Sequence, residues 1–239
     1  MTRSRENTVE FHPDDQPWYR GPYFILTVTL LLCTIAFPLG SRLIGTNVMQ
    51  VMITALLFAS MYAVIERKWL FRILLIVIFP IILSNWFVDP NESHPYLNWL
   101  TALATDTFLV TVLVVVFADI VMRKRVTADL IFGSVAVYLL FGVVVALIFH
   151  LINSIDPGSV IASVGDAETV AERRDEFSEV LYFSFVTLTS VGYGDLTPLE
   201  SPARSVAMLE GIIGQLYIAI LVAKLVGVYT AQSLTDAGR

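Results

Sequence analysis

With 239 residues, 56% of them hydrophobic and only 15% charged, the chain is too apolar for an ordinary soluble domain, in which about 25% of residues carry charge. The net charge of −6 says little by itself, and no nucleic-acid partner is expected. The single cysteine, Cys33, excludes an intrachain disulfide, and His12, His94 and His150 are too scattered to hold a metal.

Residues 1–22 are polar and mixed in charge. They lack the basic start and early apolar core of a cleaved leader and read as a cytoplasmic tail. About 20 apolar residues cross a bilayer as a helix. By that measure six spans follow: Tyr23 to Ile44, Asn47 to Ile65, Trp69 to Val88, Tyr96 to Met122, Ala128 to Asn153 and Ala203 to Tyr229. The first four make a unit over 23–122. A cytoplasmic linker, 123–127, leads to a second unit over 128–229, and 230–239 form a short cytoplasmic tail. The expected fold is therefore an all-α, multi-pass membrane protein of six transmembrane helices.

A different segment separates the last two spans. Residues 154–176 are polar and acidic, and a short apolar helix follows from Phe177 to about Thr189. That helix is too short to cross, and Gly192 and Gly194 end it. A half-helix followed by returning backbone is a re-entrant pattern, tolerated at membrane depth only where it lines a cavity or is buried in protein.

Orientation follows from the basic residues. With the amino terminus inside, Arg42, Arg173, Arg174 and Arg204 lie outside, leaving eleven of the fifteen Lys and Arg residues on the cytoplasmic side. Both termini are then cytoplasmic, in a cell membrane, and the re-entrant segment opens on the outer face.

The segment Thr189-Ser190-Val191-Gly192-Tyr193-Gly194-Asp195 carries the chemistry. A bare potassium ion is stable only if its lost water is replaced, and rings of backbone carbonyls from four chains can do so. Successive carbonyls must then face one axis, which requires alternating dihedrals that glycine reaches at little steric cost. Gly192 and Gly194 sit at alternate positions, Val191 and Tyr193 can turn outward against the short helix, and the Ser190 hydroxyl can join the innermost ring. Potassium is expected at Ser190, Val191, Gly192 and Tyr193. The acids Asp175, Glu176 and Glu179 suit the positive end of the short helix, whose carboxyl end would favour a cation.

Residues 177–229 resemble the potassium-channel pore family, with pore helix, filter and inner helix in register. The stretch from Ala128 to Gly227 also resembles a group of bacterial six-span ion channels, through the run from Leu209 to Tyr217. The resemblance implies that 128–229 is a pore domain, that Thr189 to Asp195 form the filter, and that Tyr182 and Phe183 form an aromatic cuff. It also implies that Gly214 is a bending point in gating and that Gln215 and Ile218 line the cavity. Two positions depart from the family: Ser190 stands for the usual threonine, and Val186 stands where some members carry a carboxylate paired to the filter aspartate.

One chain offers one filter segment, so a homotetramer embedded in lipid is expected. The fourth span carries no arginine, only Asp106 and Asp119, so steep voltage gating is not expected. Asp119 is read as snorkelling, Asp106 as hydrogen-bonded to a neighbouring span, and Glu210 as paired behind the filter, with proton sensing or an interfacial, solvated position as its alternatives. A transporter would show paired broken helices. A non-conducting sensor or scaffold keeping a pore-like loop is the alternative. No nucleophile–base pair, phosphate loop or dinucleotide fingerprint marks an enzyme, and no cofactor is expected.

Overall fold

The computed structural model describes residues 21–43, 47–65, 67–87, 95–123, 127–155, 160, 162–163 and 176–237. Residues 1–20, most of the 123–127 linker and most of the acidic 154–176 stretch lie outside them, and with them Arg173, Arg174, Asp175 and their neighbouring acids.

Seven helices occur among the described residues: α1 Pro22–Leu43, α2 Asn47–Ala63, α3 Lys68–Phe87, α4 Pro95–Met122, α5 Ala128–Ile155, α6 Glu176–Leu188 and α7 Ser201–Ala237. Their bounds fall within two residues of the expected ones except at the carboxyl end, where α7 continues past Tyr229 through most of the expected tail. Two short strands, β1 Ala162–Ser163 and β2 Leu196–Thr197, pair antiparallel. Hydropathy gives no hint of this pairing, which ties part of the loop between α5 and α6 to the residues just beyond Asp195.

Local chemistry sets the helix ends. Pro22 and Pro95 open α1 and α4, where a missing N–H costs nothing and the fixed φ suits the first turn. Thr127 caps α5 by accepting the Leu130 N–H at 3.2 Å. Within the apolar helices, threonines return their hydroxyls to the carbonyl four residues back, as Thr34 does to Leu30 and Thr105 to Thr101. A polar side chain is thereby satisfied without a partner helix.

Helix α5 is the centre of the molecule, packing on α1, α4, α6 and α7. Leu130, Leu140 and Phe149 along it are fully buried, with Leu26 and Leu30 of α1 and Phe108, Leu109 and Val112 of α4. Between apolar helices in lipid, close packing rather than water release supplies the attraction. Outward faces stay apolar, as at Ile76, Phe79 and Leu100.

At the end of the bundle where α4 meets α5, charges hold the elements together. Asp119 accepts hydrogen bonds from the Tyr23 hydroxyl and from Arg123 Nε, both at 2.7 Å, and Arg67 approaches it to 4.0 Å. Asp129 accepts the Tyr23 N–H at 3.3 Å. Burial alone would lower the Arg123 pKa, but the bond and charge of Asp119 carry it upward. Asp119 is thus a structural joint between α1, α4 and the α2–α3 turn, not the snorkelling side chain expected: its neighbours bring a hydroxyl and a guanidinium within reach. Asp106 also departs from expectation. Its Oδ1 is buried, with no hydrogen-bond partner among the described residues.

Candidate functional site

The short helix α6 leans on α5 and α7 and ends where the glycine-containing segment begins. Its last carbonyls are all accounted for. Phe185 O accepts the Thr189 N–H, and Thr187 O accepts the Ser190 N–H at 2.9 Å. Val186 O accepts the Val191 N–H at 3.0 Å and the Gly192 N–H at 3.3 Å. Leu188 O accepts the Tyr138 hydroxyl of α5 at 3.1 Å.

The bonds from Val191 to Val186 and from Ser190 to Thr187 are those of a Schellman motif, which places a left-handed residue just beyond the helix. That residue is Ser190, at φ 57°. Gly192 and Gly194 follow at φ 55° and 78°. Positive φ therefore recurs at every second residue, 190, 192 and 194, and nowhere else among the described residues. Glycine content points to only two of these positions. The third is set by helix termination, and the sequence signal for it is the distance from the last apolar turn of α6. Serine pays for this backbone with some strain, and a β-branched residue would pay more.

Side chains fix the segment from two sides. Tyr182 of α6 donates its hydroxyl to Asp195 Oδ2 at 2.9 Å. Val186 leaves Asp195 without a carboxyl partner, and the tyrosine three residues from Phe185 on the same helix takes that place. Gln215 Nε2 of α7 donates to Ser190 Oγ at 2.9 Å. Phe183 is buried against Phe149 of α5, with ring centroids 5.2 Å apart. Val191 and Tyr193, expected to pack on the short helix, are covered only in part by their own chain, being 53% and 72% exposed. Ile218 and Gln215 are likewise exposed on α7.

At Gly214, α7 passes tightly against the end of α6. A Cβ there would stand 2.6 Å from the Leu188 carbonyl oxygen and 2.7 Å from Leu188 Cδ1. The expected bending glycine thus has a packing reason to be glycine, within an uninterrupted helix.

Residues 134–231 match the family model for ion channels. The chain carries an ion-channel domain. No curated protein matches the chain. The matched stretch contains α6, the positive-φ segment and most of α5 and α7, and it is consistent with the resemblance to potassium-channel pores drawn from 177–229. Ion channels are not an enzyme class. Among the described residues, four helices, Lys68–Phe87, Trp99–Met122, Ala128–Ile155 and Ser201–Gly227, are long and apolar enough to cross a bilayer. With the channel domain, they make this a membrane protein.

Two residues of the ion-channel domain escaped the reading from sequence as more than bystanders. Tyr138 stacks on Tyr217, centroids 5.9 Å apart, while holding Leu188 O, and the Tyr217 hydroxyl donates to Ser134 O. Lys224 of α7 donates to the Ile120 and Val121 carbonyls, among the last of α4. They lie in the last turn of α4, where a cation suits them twice, by hydrogen bond and by helix dipole.

Proposed function

We propose that the protein is one subunit of a homotetrameric, potassium-selective channel that conducts passively and is not steeply gated by voltage. The observation that carries this reading is the recurrence of positive φ at Ser190, Gly192 and Gly194 directly beyond α6. Such alternation lets consecutive carbonyls share one direction, so that four chains can stack rings of oxygen around an axis. Thr189 to Asp195 are the filter, and potassium is held at Ser190, Val191, Gly192 and Tyr193. Gln215 and Ile218 face the cavity, and Gly214 both admits the filter's base and serves as a gating hinge. The exposed Val191 and Tyr193 find their packing against a neighbouring subunit.

In this reading α1 and α2, at 22 and 17 residues, also cross the membrane, giving six spans around the re-entrant α6. Both termini are cytoplasmic. Residues 23–122 brace a pore domain at 128–229. No cofactor is needed, since potassium itself is the ligand.

The experiment is flux from liposomes holding the purified full chain under a potassium gradient, potassium against sodium, with barium as blocker. Barium-sensitive flux that excludes sodium is expected. Absence of flux for any cation, across pH, tension and lipid composition, would replace the channel reading with a non-conducting sensor or scaffold. Equal sodium and potassium flux would keep the pore and remove its selectivity.

A further inference from the structure

Behind the re-entrant helix, out of the ion path, three oxygens meet. Glu210 of α7 is 1% exposed, and Ser184 of α6 is fully buried. Ser184 Oγ lies 2.5 Å from Glu210 Oε1 and 2.7 Å from the Gly142 carbonyl oxygen of α5. One side chain from each of two helices, and the backbone of a third, therefore converge on a single point.

The proton count does not close with a carboxylate. A hydroxyl has one hydrogen and donates once. If Ser184 donates to Glu210, the Gly142 carbonyl and Ser184 Oγ face each other as acceptors. If it donates to Gly142, two acceptors face each other at Glu210 instead. One additional proton, on Glu210 Oε1, turns both contacts into hydrogen bonds: Glu210 to Ser184, then Ser184 to Gly142.

The other carboxyl oxygen points the same way. Oε2 is buried and has no hydrogen-bond partner among the described residues. An ionised group would leave shared negative charge on that unsolvated atom, whereas an acid leaves only a carbonyl oxygen there. Among the described residues no ion pair involves Glu210; those present lie at the Asp119 and Asp129 cluster. The titratable group that α5 brings within electrostatic reach is Tyr138, whose hydroxyl is engaged with Leu188 O. The tyrosine one face along α7, Tyr217, donates to Ser134 O, and α6 presents Ser184. Fourfold assembly brings no remedy, because Glu210 is already enclosed by its own chain.

We propose that Glu210 is held as a neutral carboxylic acid, and that its proton completes a Glu210–Ser184–Gly142 chain that positions the pore helix against α5 and α7. Ionising Glu210 removes one bond of the chain and places a charge behind the filter's supporting helix, so α6 loses its seat. Glu210 is a positioning residue, acting on the filter through Ser184. The consequence for conduction rests on the channel reading above; the protonation state does not.

The test uses the full chain in liposomes. The infrared difference spectrum between wild type and Glu210→Gln at neutral pH is expected to show loss of a carboxylic-acid C=O band. Loss of carboxylate bands alone would overturn the proposal, whether or not the protein conducts. In the flux assay, Glu210→Gln, whose amide can donate to Ser184, is expected to keep neutral-pH potassium flux. It is also expected to abolish the fall in flux that wild type shows as alkali ionises the acid. A variant whose flux falls with pH as wild type does would overturn the positioning role. If Glu210→Gln fails to fold, titrating the wild-type infrared band upward in pH decides the same question. Wild type without potassium flux would sink the channel reading and leave the infrared result standing.

Discussion

The Tyr138 hydroxyl holds the Leu188 carbonyl at 3.1 Å, joining the middle of α5 to the last residue of α6 across 50 positions of sequence. Removing only that hydroxyl leaves a helix-end carbonyl without its donor. Tyr138→Phe is expected to lower stability by about 1–3 kcal/mol. The thermal unfolding midpoint of the purified assembly measures it, and an unchanged midpoint would mean that water replaces the hydroxyl at no cost.

The same carbonyl makes Gly214 intolerant of a side chain. Gly214→Ala puts a methyl 2.6 Å from Leu188 O, so the backbone at the end of α6 must move. Reduced potassium selectivity as well as altered open probability is expected in single-channel recording. Gly227→Ala is the control, since nothing lies within 4 Å of a Cβ at that position. A Gly214 variant with altered open probability and intact selectivity would reduce the residue to a hinge.

Asp195 is steadied by one hydroxyl. Tyr182→Phe removes the 2.9 Å bond and leaves the ring in place. Because Tyr182 is 37% exposed in the single chain and its bond to Asp195 is open to solvent, the energetic loss is small. Its effect is kinetic: open channels should collapse into a non-conducting state sooner under sustained recording, with the potassium-to-sodium ratio preserved. Equal dwell times in the two proteins would show that Asp195 needs no such partner.

Lys224 pins α7 to the end of α4 through the Ile120 and Val121 carbonyls. Lys224→Met keeps the apolar stem and removes the donor. A shifted open probability at unchanged selectivity is expected, because the bond lies ten residues beyond Gly214 along the helix, away from the filter. Changed selectivity would place its influence in the filter instead.

Membrane potential has little to act on in α4, which carries Asp106 and Asp119 and no arginine. Gating charge is expected to stay below about two elementary charges per assembly. A larger value from the slope of the conductance–voltage relation would require charge movement elsewhere in the chain.

The helices themselves were legible because a bilayer imposes length and apolarity on every span, and those are properties of composition over a window. The ends of α1, α4 and α5 were legible for a local reason, the Pro and Thr at their starts. Glycine identified two of the three left-handed positions, but Ser190 became one through the hydrogen-bond closure of α6, a property of where a helix stops rather than of the residue itself. The polar partnerships were hidden. Asp119 meets Tyr23 across 96 positions, and Ser184 meets Glu210 across 26. Nothing in the neighbouring residues encodes which helix will stand opposite. The role of Lys224 is hidden too, since a lysine that serves a backbone carbonyl leaves no complementary acid to find.

Val191 and Tyr193 are left largely uncovered by their own chain. If the missing cover comes from neighbours, the pore is a joint possession of its subunits, and inheritance follows suit. A cell expressing one sound copy and one copy with a broken filter would not retain half its conductance. Most mixed assemblies would contain at least one faulty quarter, so the defect should behave as dominant, and its severity should depend on the ratio of the two transcripts rather than on the presence of the sound one.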